Sequence, residues 1–298
     1  CPAGGPRFDL IDTLRRDLPA MNLTEACLAL EVSRSGYHDH RRKPRGKRRQ
    51  QDHLLACALG EEFTLSRQTY GSPRLVAALR QRGLRHGKNR VRRLMREQHL
   101  QVRQKRRFVP RTTQADKNSH PSPNLLGSQP VPTRPNQAWV TDITYLPTGE
   151  GWLYVAAEMD LYSRRIIGWD AGPSLATELP GSALQRALTT RRGHDLRDLL
   201  HHSDRGCQYT SHTFRHQLAR QGITQSMSRA GNCYDNAAIE SFWATLKTEC
   251  FGTTIPDTRA HARTMLFDYI ETFYNPMRLH SSLNFLSPLA FEKSTQLN

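Results

Sequence analysis

The sequence predicts an α/β protein: a domain with a five-stranded mixed sheet, entered through a helical, basic front. Three observations carry this. Residues 1–138 hold 28 Lys and Arg against 11 Asp and Glu, whereas residues 139–298 hold 15 against 16. Apolar periodicity is helical up to about residue 99, then turns to short β-rich runs joined by helices from Trp139 onward. Between the two lies a stretch with Pro110, Pro121, Pro123, Pro130, Pro132 and Pro135 and little periodicity, which reads as a linker.

In the front half, Phe8, Leu10, Ile11 and Leu14 recur at helical spacing, and Asn22-Leu23-Thr24-Glu25 is suited to open a second helix. Ser33 to Tyr37 then makes a turn, giving a first, weak helix-turn-helix pattern that any helical hairpin shares. Arg41 to Arg49 carries seven positive charges in nine residues, and Pro44 and Gly46 argue against a helix through it. It reads as a solvated linker or as an arm along phosphates, through Arg41, Arg42, Lys47, Arg48 and Arg49. A helix follows over 52–63. Ser72 as N-cap and Pro73 as first helical residue open another, Arg74 to Gln81, which Gly83 stops. Lys88 to His99 turns Val91, Leu94 and Met95 inward and Arg90, Arg92, Arg93 and Arg96 outward. This second helix-turn-helix is the better one, with guanidiniums placed for phosphates or guanine edges.

In the back half, residues 139–146 and 152–159 read as two β-rich strands that make a hairpin about a tight turn at Gly149-Glu150-Gly151. A third strand spans 165–169. Then come a helix (177–189), a strand (199–204), a helix (211–221), a strand (223–228) and helices over 237–250 and 259–274. A meander followed by helix–strand–helix–strand–helix is a layered α/β pattern.

The net charge of +16, concentrated in the front half, favours a polyanionic partner over mere solubility. No apolar run is long enough to cross a membrane. Six cysteines without a Cys-x-x-Cys pair argue against a disulfide framework or zinc knuckle and fit a reducing cytoplasm. A first residue of Cys1 is expected of a fragment, a processed product or the downstream part of a longer frame.

Candidate chemistry centres on Asp142, Asp204 and Glu240. Asp142 lies mid-strand, where a carboxylate must be paired, hydrogen-bonded or on metal. Asp204 ends a strand, where open α/β sheets place ligands. Glu240 lies on a helix, with Lys247 seven residues on and on the same face. Three hard oxygen donors suit Mg²⁺ or Mn²⁺, and two such ions can activate an attacking oxygen and stabilise a leaving one. His201 and His202 lack a second pair at zinc spacing and read as satisfied or partly exposed histidines. Cys207 and Cys233 lack a base. Asp160 reads as the cap of the turn after it and Asp235 as a helix N-cap. Gly231 and Asn232 read as a flexible loop over the site, either in contact with substrate or a plain turn.

Thirty-five residues separate Asp204 from Glu240. With Asp142 and Lys247, this resembles the D-D-35-E signature of retroviral integrases and related bacterial transposases. Trp-Val-Thr-Asp-Ile-Thr-Tyr (139–145), Asp-Leu-Tyr-Ser-Arg-Arg (160–165), His-His-Ser-Asp-Arg-Gly (201–206), Gly-Asn-Cys-Tyr-Asp-Asn-Ala (231–237), Glu-Ser-Phe (240–242), Leu-Lys-Thr-Glu (246–249) and Tyr-Asn-Pro-Met-Arg-Leu-His-Ser-Ser-Leu (274–283) are similar to the OrfB part of the insertion-sequence transposases of the IS-three family.

The resemblance implies a ribonuclease-H-like integrase core. It implies two Mg²⁺ or Mn²⁺ ions held by Asp142, Asp204 and Glu240, and cleavage and joining of double-stranded DNA at element ends by transesterification, with Lys247 on the DNA. It also implies a homo-oligomer in a synaptic complex, an upstream-frame partner or fusion, and a bacterial, nucleoid-associated setting. The integrase zinc-binding front is missing from the pattern. A catalytically silent DNA-binding relative, or a nuclease that cuts without joining, remains open. The expected organisation is a helical segment with a basic arm (1–50), a helix-turn-helix domain (51–103) with DNA contacts from Arg74, Lys88 and the α-helical arginines above, a linker (104–135), the core (136–255) and a helical extension (256–298).

Overall fold

The structure is a computed structural model that describes residues 5–18, 20–42, 47–102, 122–176, 178–228 and 236–296, without the side chains of residues 5, 6, 42, 47 and 296. The expected breaks at Pro44 and Gly46, residues 104–121 of the expected linker, the Gly231–Asn232 loop, the Asp235 cap, and the side chains of Arg42 and Lys47 lie outside the described residues. The chain divides into two compact units, residues 1–60 and 61–298, and the division falls within one helix.

In the first unit, α1 (Gly5–Asp17), α2 (Leu23–Ala29) and α3 (Arg34–Arg42) close on Ile11, Ala26, Cys27 and Tyr37. The Asn22 side chain accepts from the Glu25 N–H and the Glu25 carboxylate accepts from the Asn22 N–H, both at 3.0 Å, so one capping box fixes the start of α2. The Tyr37 hydroxyl donates to Asp12, tying α3 to α1. The helix that follows, α4, runs Lys47–Leu65 and so starts five residues ahead of the expected Asp52.

The second unit opens on two helices, α5 (Ser72–Gln81) and α6 (Lys88–Glu97), which share a core of Leu75, Leu79, Val91 and Leu94. Gly71, not Ser72, caps α5: its carbonyl already accepts from the Leu75 N–H at 3.1 Å, which draws Ser72 into the first turn. Gly83, at φ +81°, takes the left-handed conformation that ends this helix.

Five strands follow: β1 (Ala138–Thr148), β2 (Gly151–Asp160), β3 (Ile166–Gly172), β4 (Leu200–Ser203) and β5 (Thr224–Met227), in the order β3-β2-β1-β4-β5. The first three form an antiparallel meander, while β4 lies parallel to β1 and β5 parallel to β4. The sheet is therefore mixed, with β1 at its centre. A two-residue loop, Gly149-Glu150, joins β1 to β2, with Gly151 at φ +100°.

On one face, α7 (Glu178–Thr190), α8 (Cys207–Thr210) and α9 (His212–Arg220) bury Leu184, Tyr209, Phe214 and Leu218 with Trp139 and Ile167. Contact between β3 and α7 is close enough to need glycine: a Cβ on Gly168 would stand 2.4 Å from the Ala183 carbonyl oxygen. On the face bearing Asp142 lies α10 (Ala237–Leu246). The expected single helices over 237–250 and 259–274 both change pitch. α10 passes into a π-helical turn at Lys247–Phe251, and α11 (Arg259–Phe267) into another at Asp268–Tyr274. A last helix, α12 (Pro288–Gln296), anchors through Glu292 in a buried ion network. Arg191 bonds both Asp160 and Glu292, while Arg165 and Ser163 also donate to Glu292. Among the described residues no helix is long and apolar enough to cross a membrane.

Candidate active site

The site forms where β1 and β4 run side by side. Their register pairs Val140 with His202. Two residues further along each chain stand Asp142 and Asp204, level with one another and, by the two-residue period, on one face of the sheet. β4 ends at Ser203, so Asp204 begins the loop, free of the ladder but fixed by its neighbour: the Gly206 N–H donates to its Oδ1 at 2.9 Å. From above, α10 supplies Glu240, Trp243 and Lys247 at positions i, i+3 and i+7, one helical face. The Trp243 Nε1–H donates to Asp142 Oδ2 at 3.1 Å, and the Asn236 amide reaches the Thr141 carbonyl at 3.4 Å, so α10 is pinned to β1 near its start and in its middle.

Charge here is not neutralised by the protein. Among the described residues none of the three acids makes an ion pair within 4 Å. Burial pushes the Asp142 carboxyl up to about 7, and the charges of Asp204 and then Glu240 push the same way, against the Ile143 N–H and Trp243. Burial also raises Asp204, opposed by the Gly206 N–H, and raises Glu240, whose side chain is exposed. Lys247 stands at the junction of α10 with the π-helical turn, its ammonium 5.1 Å from the centre of the Tyr145 ring. Burial lowers its pKa and the charge of Asp142 holds it up.

Asp142 and Asp204 are thus brought together, with Glu240 acting on Asp142 through its charge. Among the described residues, however, no three His, Cys, Asp or Glu side chains close into a ready-made metal cluster. The opposite face carries polar groups that sequence reasoning missed. Glu158, fully buried, bonds His201 Nε2 at 2.9 Å, and Tyr209 pairs with Thr141 at 3.3 Å. On the face of Asp142 and Asp204, His202 sits between the Ser226 and Ser228 hydroxyls, each at 2.9 Å. Both histidines are held by protein partners. Asp160 caps its turn, accepting from the Tyr162 N–H, but also pairs with Arg191; burial raises its carboxyl to about 6.

The basic residues of the front divide into two sets. Lys88, Arg92 and Arg96 are exposed along one face of α6, four residues apart. Arg90 and Arg93 are half-buried, Arg93 bonding Glu97 at 2.8 Å. Arg74 turns inward: its Nε donates to the Leu279 carbonyl at 2.9 Å and its guanidinium stands 4.0 Å from Glu249. In the first unit Arg41 bonds the Tyr37 hydroxyl at 3.3 Å, and Arg48 and Arg49 are exposed on α4.

Two integrase core domain models match the chain, over residues 132–233 and 221–288, and an HTH-like domain model matches residues 49–108. The 31 kDa protein of insertion element IS600 of Shigella sonnei is 42% identical over 267 residues, 90% of this chain and 97% of that protein. Transposase InsF of insertion sequence IS3A of Escherichia coli (strain K12) is 41% identical over 269 residues, 89% of this chain and 92% of that protein. Among solved structures, the simian T-cell lymphotropic virus intasome in complex with PP2A regulatory subunit B56 gamma gives a TM-score of 0.45 at 17% identity, covering 74% of this chain and 72% of that one. The HTLV-2 integrase catalytic core domain in complex with magnesium, in its dimeric form, gives 0.37 at 16% identity over 54% of this chain and 98% of that one.

A mixed five-stranded sheet matched across its whole length by integrase core models defines the class: an enzyme of the transposase and integrase group, with a polynucleotidyl transferase fold and an HTH-like helical region ahead of it. Identity above 40% over nine-tenths of the chain narrows this further. The chain belongs to the IS3 (IS-three) family of insertion-sequence transposases.

Proposed function

We propose that the chain cleaves and joins DNA at the ends of its insertion sequence with divalent metal, Asp142, Asp204 and Glu240 being the metal ligands. The observation that carries this is geometric: Asp142 and Asp204 stand level on one face of adjacent strands, under the face of α10 that bears Glu240, with no protein cation within 4 Å of the acids among the described residues, and desolvation with the neighbouring charges of Asp204 and Glu240 raises Asp142. A half-buried anion pair without a counter-ion is costly, and a bound cation removes that cost. The donor set is three carboxylates, which suits Mg²⁺ or Mn²⁺, one or two ions, over softer metals. Bound there, the metal supplies Lewis-acid activation of the phosphodiester and of the attacking hydroxyl.

The chain's own residues then have distinct tasks. One N–H from Gly206 and one from Trp243 fix the two aspartates while leaving lone pairs for the cation. Lys247, held over Tyr145, supplies positive charge for a substrate phosphate beside Asp142. The exposed face of α6 delivers the duplex, and the exposed Arg48 and Arg49 of the first unit offer phosphate contacts of their own. Joining two element ends calls for more than one copy of the chain, in a synaptic complex with any upstream-frame partner, within the bacterial nucleoid.

The test is incubation with labelled duplex carrying the sequences that flank the reading frame, with Mg²⁺ and with Asp204→Asn and Glu240→Gln as controls. Joined products from the wild type alone support the reading. Cut but unjoined products leave a nuclease, and equal products from all three proteins sink the assignment.

A further inference from the structure

The family's C-terminal run, Tyr274 to Leu283, has no task in the site above. It lines a cavity of about 530 Å³ whose floor is a different face of α10, the one bearing Ser241 and Thr245. Three arginines from distant segments meet there: Arg74 of α5, Arg164 of the turn between β2 and β3, and Arg278. One carboxylate answers them. Glu249 is held by Arg278, whose Nε and Nη2 donate at 2.7 and 2.6 Å, with Arg74 at 4.0 Å and the Tyr269 hydroxyl at 2.7 Å. The Arg164 guanidinium makes no hydrogen bond or ion pair among the described residues, and it stands in the cavity half-buried.

Its neighbours on the chain take other directions: Ser163 and Arg165 both reach Glu292. The backbone enforces the divergence, since Arg164 sits at φ +61° with its carbonyl accepting from the Tyr274 hydroxyl at 3.2 Å. His280, on the same wall, is kept neutral by burial and by the three guanidiniums, and its Nε2 is buried without a partner among the described residues. Three guanidiniums against one carboxylate leave an excess of two positive charges, surrounded by the hydroxyls of Ser241, Ser281 and Ser282.

We infer that this cavity is a phosphate-binding site, centred on Arg164, separate from the carboxylate site on the other side of α10. Guanidiniums and hydroxyl donors around a roomy opening match the several oxygens of a phosphate group; the single charge of a diester offsets half of the excess and the double charge of a monoester all of it. The group is carried either by a DNA strand or by a free phosphate ester, with the same chemistry. The first source rests on the proposed function; the site itself does not.

Two measurements on the full chain separate these. Melting in inorganic phosphate against chloride at matched ionic strength should show a stabilisation of a few degrees that Arg164→Gln loses and Arg164→Lys retains in part. Without phosphate, Arg164→Gln should melt no lower than the wild type, because it removes an unanswered cation and no bond. Anisotropy of a labelled flanking duplex, titrated over salt without divalent metal, reads the source. A slope of log affinity against log salt shallower by about one in Arg164→Gln assigns a DNA phosphate. An unchanged slope with the phosphate shift lost assigns a free ester. An unchanged slope with an unchanged phosphate response overturns the site. If the wild type binds no duplex at all, the proposed function falls while the melting arm still decides the cavity.

Discussion

The indole Nε1–H of Trp243 donates to Oδ2 of Asp142 across 3.1 Å, linking the helix that carries Glu240 to the strand that carries the most strongly perturbed acid of the site. This bond does two things: it favours the ionised form of Asp142, and it sets the height of α10 above β1. Trp243→Phe keeps the ring packed against Phe242, 4.9 Å between centroids, and removes only the donor. A hydrogen bond to a charged group contributes about 1.5–3 kcal/mol. The variant is therefore expected to cleave at least tenfold more slowly at limiting Mg²⁺ and to recover partly at high Mg²⁺. Cleavage rates across a Mg²⁺ titration check this; a rate reduced equally at every concentration would place Trp243 outside metal capture.

Asp142→Asn should inactivate the enzyme and stabilise the metal-free protein. Folding raises this carboxyl from 3.8 to about 7, so its ionised form is disfavoured in the fold. The sign follows from linkage: for an acid raised by folding, the destabilisation is fully present above the folded pKa and disappears below the unfolded one. In EDTA the variant should thus outlast the wild type in urea at pH 8, by on the order of 4 kcal/mol at most, and the advantage should vanish towards pH 4. Mg²⁺ at pH 8 should narrow the gap by stabilising the wild type alone. Equal midpoints at pH 8 in EDTA would mean that Asp142 has a counter-charge.

Much of this arrangement is legible in the sequence because strands advertise themselves. Trp139 to Leu146 is rich in β-branched and aromatic residues, Gly149 to Gly151 turns, and Asp204 ends the short run that starts at Leu199 and Leu200, so the two aspartates can be placed along the sheet without any structure. The pairing of Glu240 with Lys247 is legible from two helical turns. Trp243 is not, because an aromatic on an apolar helix reads as packing, and only the position of β1 shows where its N–H points. The π-helical turns after Leu246 and Phe267 are equally hidden: the apolar spacing continues through both, while the change in pitch depends on tertiary contacts. The arginine cavity gathers Arg74, Arg164 and Arg278 from three distant segments, which no local pattern brings together. Glu158 and His201 meet two strands apart for the same reason.

The two sets of front-half cations should separate by experiment. Lys88, Arg92 and Arg96 share an exposed face, so changing all three to Ala should weaken duplex binding with little effect on stability. Each phosphate left without its cation should make the salt dependence shallower by about 0.9, so the slope for the triple variant should fall by up to about three. The sequence puts Arg74 on DNA with them, but its Nε is bound to the Leu279 carbonyl and its charge faces Glu249. Arg74→Ala should therefore lower the urea midpoint as well, which the α6 variant should not. Salt-titrated anisotropy and urea melts on the same two proteins check the division.

Arg191 offers the sharpest test of how the C-terminal helix is held. It is buried and bonds Asp160 Oδ2 at 3.1 Å and Glu292 Oε2 at 3.0 Å, so one guanidinium serves two buried acids, one on the sheet and one on α12. Arg165 also reaches Glu292 at 2.9 Å, but no second cation pairs with Asp160 among the described residues. Replacing Arg191 by Met keeps the bulk and strands Asp160. Removing one partner of a buried pair costs about 3–5 kcal/mol, mostly through the charge left behind. Burial already holds Asp160 at about 6 with Arg191 present; without it the carboxyl should rise further. An acid raised in the fold destabilises above its folded pKa, so Arg191→Met should lose more stability at pH 8 than at pH 5. Adding Asp160→Asn should restore much of the loss at pH 8, since it removes the stranded charge. Urea midpoints at both pH values for the single and double variants decide it: a loss independent of pH, with no rescue by Asp160→Asn, would mean that Arg191 acts through packing and not through its charge.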